Sequence, residues 1–359
     1  MKRMLSLLAS MLAMAILAGG QDPSGNGYFV KGADLSLLKS LEDKGVQYKD
    51  GGEAKDALAI FKAHGCNYVR LRLFVNPDGT RGQVNTLEYT LALAKRVKAM
   101  GFRFLLDFHY SDGWADPGKQ FIPVAWKDLS HAQLTDRVYG YTKETLAAFQ
   151  AEGCLPDMVQ VGNEINDGMM WPAGGPLSDV TKFAAFADLL KAGIRAVREY
   201  PSIKVMVHAA NGSDKKKCQW YFDHCQQAQV QFDVIGLSYY PFTDGTLDEL
   251  KQSLAMLSKN YGKDIMVAET GFFESGGSAG KTGFPTTPDG QKAFFEAVMQ
   301  TVAATPGGKG RGVFYWAPEW IAGAGWKKGK PGGNRALFDE EGNALPAMGV
   351  YGWELGKGG

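Results

Sequence analysis

Between residues 28 and 320 one pattern recurs about eight times: a short apolar run ending in polar or aromatic residues, then a loop, then an amphipathic stretch. The runs are YFVKGADLS, NYVRLRLFV, FRFLLDFHY, DMVQVGNE, KVMVHAA, FDVIGLSYY, DIMVAET and GVFYWAPEW. The stretches between them carry a helical period. In LEYTLALAKRVKAMG, for example, Leu87, Leu91, Ala94 and Val97 share a face and the pattern stops at Gly101. Strands that alternate with helices run parallel, because the helix is the crossover that returns the chain to the start of the next strand. Eight such units in a chain of 359 residues predict an α/β fold, a single (β/α)8 TIM barrel with its active site at the C-terminal ends of the strands. A doubly wound sheet lacks its signature here. No GxGxxG or GxxxxGK[ST] follows a strand, and ESGGSAGKTGFP reads as a long, loose loop.

Residues 28–359 are expected to form the one catalytic domain, since no linker or second composition zone interrupts them. Ahead of them, Met1-Lys2-Arg3 is basic, Met4 to Leu17 is apolar, and Ala18-Gly19-Gly20 offers small residues for cleavage. This predicts a signal peptide over 1–20 and a flexible leader over 21–27, hence a secreted or periplasmic protein. The apolar run is short for a membrane span, and Gly20 stands where a lipidated Cys would, so no membrane anchor is expected in the mature chain. A formal net charge of +1 gives no basis for nucleic-acid binding. Of the four cysteines, Cys66 and Cys154 precede strands, while Cys218 and Cys225 lie seven apart in a predicted helix. That separation is about 10 Å along a regular helix axis, beyond disulfide reach, so buried thiols are expected. The histidines show no HExxH or HxH pattern and the cysteines no zinc spacing, so neither metal nor cofactor is expected. The chain is expected to act as a monomer.

Polar residues gather at the ends of the runs: Asp34, Arg72, His109, Asn163, Glu164, His208, Tyr239, Glu269 and Trp316. Two are glutamates ending apolar strands, Glu164 on the fourth and Glu269 on the seventh. A carboxylate there is costly unless something requires it. Strands four and seven face each other across a barrel mouth. Two carboxyl groups spanning a pocket, one protonated and one ionised, are what cleavage of a glycosidic bond needs. A structural ion pair would explain either glutamate alone, but explains the pair less well. Arg70 and Arg72 are two apart and share a strand face, from which a guanidinium would reach Glu269 and hold it ionised. His109 and His208 are candidates for donating to a sugar hydroxyl or a carboxylate. Trp114, Trp126, Trp171, Trp316, Trp320 and Trp326 fall at strand ends or in the loops that follow, where core packing explains tryptophan poorly and stacking on sugar rings explains it well.

Taken in order, GADLSLLKSLEDKGVQYKDG, NYVRLRLFVNPDG, DFHYSDGWADPGKQFIPVAW, VQVGNEINDGMMWPAG, DVIGLSYYPF and VAETGF resemble the endo-β-1,4-galactanases of glycoside hydrolase family 53 over roughly residues 28 to 350. HYSDGWADPG together with NEINDGMMWP is the most specific part. The resemblance implies a retaining enzyme that cuts internal β-1,4 bonds of galactan, including the side chains of pectin. It implies Glu164 as acid/base, Glu269 as nucleophile, and Asn163 as the contact to the 2-hydroxyl of the cleaved sugar. An arginine of the second strand, His208, Tyr239 and Trp316 would form the shell around that sugar, with Trp114 and Trp171 as cleft aromatics. Some bacterial relatives carry calcium in the loop after the seventh strand. Here TGFFESGGSAGKTGFPTTPDG lacks the alternating oxygen ligands, so no such site is expected. The alternatives are a barrel glycosidase acting on mannan, xylan or glucan, and a carbohydrate-binding barrel without catalysis.

Overall fold

The computed structural model describes residues 28–321 and 334–354. The expected signal peptide and leader, and Trp326, lie outside the described residues. Eight parallel strands close into a barrel: β1 (Val30–Asp34), β4 (Tyr68–Leu73), β5 (Arg103–Phe108), β6 (Met158–Val161), β7 (Lys204–Ala209), β8 (Val234–Tyr239), β9 (Asp264–Thr270) and β10 (Gly310–Trp316), with β1 hydrogen-bonded to both β4 and β10. The TIM barrel read from the repeat is therefore the fold. An antiparallel hairpin, β2 (Tyr48–Asp50) and β3 (Glu53–Lys55), is an addition the repeat did not announce. Its turn is Gly51-Gly52, both at positive φ (64° and 82°), as a two-residue hairpin turn requires.

Helices α1 (Leu38–Asp43), α2 (Ala57–Ala63), α3 (Leu87–Ala99), α4 (His131–Ala151), α5 (Phe183–Val197), α6 (Lys215–Gln227), α7 (Leu247–Tyr261) and α8 (Pro288–Ala303) surround the ring. Their starts are written locally. Ser130 and Gln133 form a capping box at α4, as do Thr246 and Glu249 at α7, while Pro288 occupies the first turn of α8. The buried face of α3 is Thr90, Leu93, Ala94 and Val97. It is turned from the expected face because Thr90 can be buried: its hydroxyl donates to the Arg72 carbonyl. Among the described residues no helix is long and apolar enough to cross a membrane. All four cysteines are buried free thiols.

Strand parity organises the barrel interior. One apolar layer takes Val30, Tyr68, Leu105, Met158, Met206, Val234, Met266 with Ala268, and Phe314, so every strand contributes. Gly32 and Gly236 lack side chains on this face because a Cβ there would strike the Phe314 ring and the Met206 sulfur. Two residues further along, the same inward parity brings up Arg70, Asp107, Gln160 and His208, and four further along Asp34 and Ser238. These residues are all buried. The outward parity feeds the larger core against the helices. One strand breaks the rule. Leu237 pairs with Val267, but Ser238 pairs with Glu269, leaving Ala268 as a surplus residue in β9. This bulge turns Glu269 inward, where regular alternation after Ala268 would have pointed it at the helices.

Candidate active site

Arg70 is the hub of the polar layer. Its guanidinium meets Asp34 Oδ2 at 2.6 Å, Asp107 Oδ2 at 2.9 Å and Glu269 Oε1 at 2.9 Å. It also donates to Gln160 Oε1 at 3.1 Å and to Asn163 Oδ1 at 2.9 Å. Burial works against its charge, and the three acids more than restore it. Burial alone would raise Asp107, but Arg70 and His109 hold it below the usual carboxylate range. His109 Nε2 lies 3.1 Å from Asp107 Oδ2, and its Nδ1 accepts from the Ala115 N–H at 3.2 Å. Arg72, on the same strand face, goes elsewhere. It donates to Asn85 at 3.1 Å and lies 4.2 Å from the centre of a Trp114 ring. The arginine that reaches Glu269 is therefore Arg70.

The two glutamates arrive on irregular backbone. Glu269 rides on the bulge and is buried, with Tyr240 donating its hydroxyl to Oε2 at 3.0 Å. Glu164 follows Gly162 and Asn163 beyond the end of β6 and adopts the left-handed conformation (φ 49°, ψ 47°), which costs a non-glycine residue about 1–3 kcal/mol. Both line a cleft of about 560 Å³ at the C-terminal mouth of the barrel, but their surroundings differ. Burial raises Glu269 above its ordinary value, and the Arg70 guanidinium limits that rise. No cation of the described residues pairs with Glu164, and burial together with the charge of Glu269 pushes it up to about 8. The cleft therefore holds one acid in its protonated form at neutral pH beside one supported as an anion.

Glu164 belongs to a second network. Ser238 Oγ lies 2.6 Å from Glu164 Oε1 and 3.0 Å from His208 Nε2. Burial, then Arg70, holds His208 well below its usual pKa, so the ring is neutral. Its Nδ1 faces the Gln160 amide nitrogen at 3.0 Å, the Glu164 N–H at 3.3 Å and Asn163 Oδ1 at 3.0 Å. Two proton arrangements satisfy this chain. With Glu164 ionised, Nδ1 accepts from the Glu164 N–H, Nε2–H donates to Ser238, and Ser238 donates to the carboxylate. With Glu164 protonated, its O–H donates to Ser238 Oγ, which still accepts from Nε2–H, while Nδ1 goes on accepting from the Glu164 N–H.

Of the residues expected from sequence, Arg70, Arg72, His109, Trp114, Asn163, Glu164, Glu269 and Trp316 line the cleft together. Asp34 and His208 sit fully buried behind it and act through Arg70 and Ser238. Tyr239 is a correction. It is the outward residue of β8, buried in the helix-facing core with its hydroxyl on the Gly245 carbonyl at 3.1 Å, and Tyr240 takes the cleft position assigned to it. Trp171 does not line the cleft; its indole donates to the Asp167 carbonyl at 3.0 Å. Trp126 is buried against Tyr141. Trp114, Trp316 and Trp320 do form an aromatic wall, with ring centres 6.2 Å and 5.9 Å apart in turn. Sequence reasoning missed Asp107, Gln160, Ser238 and Tyr240. The parity that pairs Arg70 with Arg72 also pairs Asp107 with His109 and would have found the first.

Comparison with known proteins places this cleft. Residues 30–351 match the sequence profile of glycosyl hydrolase family 53. The chain is 34% identical to an arabinogalactan endo-β-1,4-galactanase of Cellvibrio japonicus, over 97% of this chain and 96% of that one. It is 35% identical to an endo-β-1,4-galactanase of Bacillus subtilis, over 90% and 85%. The solved catalytic domain of a family 53 protein from Ignisphaera aggregans superposes with a TM-score of 0.84 at 37% identity, covering 91% of this chain and 96% of that one.

Proposed function

The chain belongs to glycosyl hydrolase family 53, and from that premise we infer that it is a retaining endo-β-1,4-galactanase acting on galactan and type I arabinogalactan. Membership decides against the mannan, xylan and glucan readings. The observation that carries the mechanism is the unequal support of the two carboxyl groups: Glu269 on a guanidinium, Glu164 without one. Glu269 attacks the anomeric carbon as the bond to the leaving sugar's O4 breaks, and Glu164 gives that oxygen its proton. A galactosyl ester on Glu269 results. Water then attacks the same carbon, Glu164 takes its proton, and Glu269 leaves as a carboxylate, so the β configuration is retained. The Ser238 hydroxyl, which can donate or accept, keeps Glu164 hydrogen-bonded in both of its roles. Asn163, held by Arg70 and by the Ala115 carbonyl, is placed to contact the cleaved sugar. Trp316, Trp114 and Trp320 supply apolar faces for rings of the chain.

The test is chromatography of products over time from pure β-1,4-galactan, with proton NMR of the first product. Internal cutting gives a ladder of oligosaccharides, and retention gives β-galactose reducing ends before mutarotation. Initial α ends would overturn the double displacement, and release of single galactose units from the start would overturn endo action.

The hydrogen bond from Ser238 favours ionised Glu164, so Ser238→Ala should raise the Glu164 pKa further. The acid form persists to higher pH, and the basic limb of kcat/KM, expected near 8, moves upward. The same change makes Glu164 a poorer base precursor for the second step at neutral pH. A basic limb that stays fixed or moves down would refute the relay. Export accompanies this reading as a proposal, supported by the signal-like residues 1–20 and by a polymeric substrate. Monomeric action is part of the same proposal.

A further inference from the structure

Arg335 lines the cleft and is only 7% exposed, yet among the described residues it has no carboxylate partner, and its Nε makes no hydrogen bond. Residues 322–333, which precede it, contain no Asp or Glu. The contrast with Arg70 and its three acids is sharp. Instead, rings surround the guanidinium: Trp316 at 5.0 Å, Tyr240 and Phe242 at 5.4 Å, and Phe273 at 5.9 Å. These faces offset part of the cost of burying a cation, but a leucine or methionine would fill such a box without that cost. The backbone is anchored too, since the Arg335 carbonyl accepts from the Tyr315 hydroxyl at 2.9 Å and from Gln291 at 3.3 Å.

The neighbours fix the side of the cleft. Tyr240 bonds Glu269, Phe273 follows β9, and Trp316 ends β10, so Arg335 belongs to the nucleophile's wall. The nucleophile lies under the anomeric carbon of the cleaved sugar, while the acid reaches across to the leaving group.

We propose that Arg335 is a specificity-determining residue that donates paired N–H groups to two oxygens of the neutral galactosyl unit preceding the cleaved sugar, while the surrounding rings receive that unit's apolar face. This deepens the galactanase reading and rests on it. The fork of a guanidinium suits two neighbouring oxygens on one ring, and its charge is not what the ligand reads.

The test compares 4-nitrophenyl β-1,4-galactobioside with 4-nitrophenyl β-galactoside. The first fills the preceding position and the second does not, so the ratio of their kcat/KM values reports that position alone. Arg335→Met should lower the ratio about tenfold, the size expected for losing hydrogen bonds to a neutral partner. Arg335→Gln, which keeps donors without charge, should restore most of it, and Arg335→Lys should not. The wild-type ratio should hold between low and high salt. Rescue of the ratio by Arg335→Lys but not by Arg335→Gln would overturn the proposal, since charge and not paired donors would then be what the site supplies. An unchanged ratio in Arg335→Met would reduce the residue to a packing element. Failure of the wild type to hydrolyse β-1,4-galactan would overturn the galactanase reading itself, and is distinct from both.

Discussion

Glu269→Ala is expected to abolish turnover of galactan, by about four orders of magnitude or more for loss of a nucleophile, and to leave the protein at least as heat-stable as the wild type. The first half follows from the proposed chemistry, since no other group under the sugar can form the ester. The second follows from charge. Arg70 meets three carboxylates, at 2.6 to 2.9 Å, so removing one relieves repulsion and still leaves the cation paired twice. Functional sites commonly hold such destabilising arrangements. The space left by the carboxylate also admits a small anion. With azide and a substrate bearing an activated leaving group, the product should be the α-galactosyl azide, opposite in configuration to the wild-type product. Hydrolysis of galactan at near wild-type rate by this variant would end the assignment of Glu269. A large fall in melting temperature would show that the third acid is needed for the fold.

Arg70→Met should lose both activity and stability. The substitution fills similar volume but leaves Asp34, Asp107 and Glu269 buried around no cation. Breaking a buried ion pair from one side costs about 3–5 kcal/mol, which for a domain of this size is a fall in melting temperature of roughly 5–15 °C. The sign with pH is fixed by Asp107, whose pKa Arg70 and His109 depress in the folded state. Its contribution is present in full above the unfolded carboxylate range and is lost as pH falls through the depressed folded value. In Arg70→Met the acids take up protons at higher pH instead. The gap between the two proteins should therefore be widest near pH 7 and narrow toward pH 4 and below. Thermal unfolding of both proteins at the two pH values measures it. Equal melting temperatures at pH 7 would show that the acids do not depend on Arg70.

The fold was legible because the repeat of strand and helix leaves few alternatives, and because period two within each strand sorts residues into barrel interior and helix layer. Arg70 with Arg72, and the terminal glutamates, could be found that way. What escaped did so for physical reasons. Tyr239 and Tyr240 are adjacent and identical in chemistry, so only the strand's phase, with Val234, Gly236 and Ser238 inward, tells which one faces the sugar. Thr90 turned α3 because a hydroxyl with a carbonyl partner is as buriable as a leucine. The β2–β3 hairpin is three residues a side, too short for a periodic signal. Arg335 follows β10 by almost twenty positions, and its approach to the cleft is purely tertiary. Trp126 and Trp171 show that a loop position alone does not distinguish an exposed platform from a ring packed against its own loop.

The surplus residue in β9 has one more consequence. A strand that carries Ala268 out of step has two available phases at its tip, and the slip between them would exchange Glu269 for Thr270 on the inner face. Ladder bonds near a bulge discriminate weakly between the two. Electrostatics discriminates strongly, because one phase places an anion against Arg70 and the other places a neutral hydroxyl there. The ion pair thus acts as a latch on the phase of the strand as well as a support for the reaction, and an enzyme that loses the latch risks losing its aim before it loses its shape.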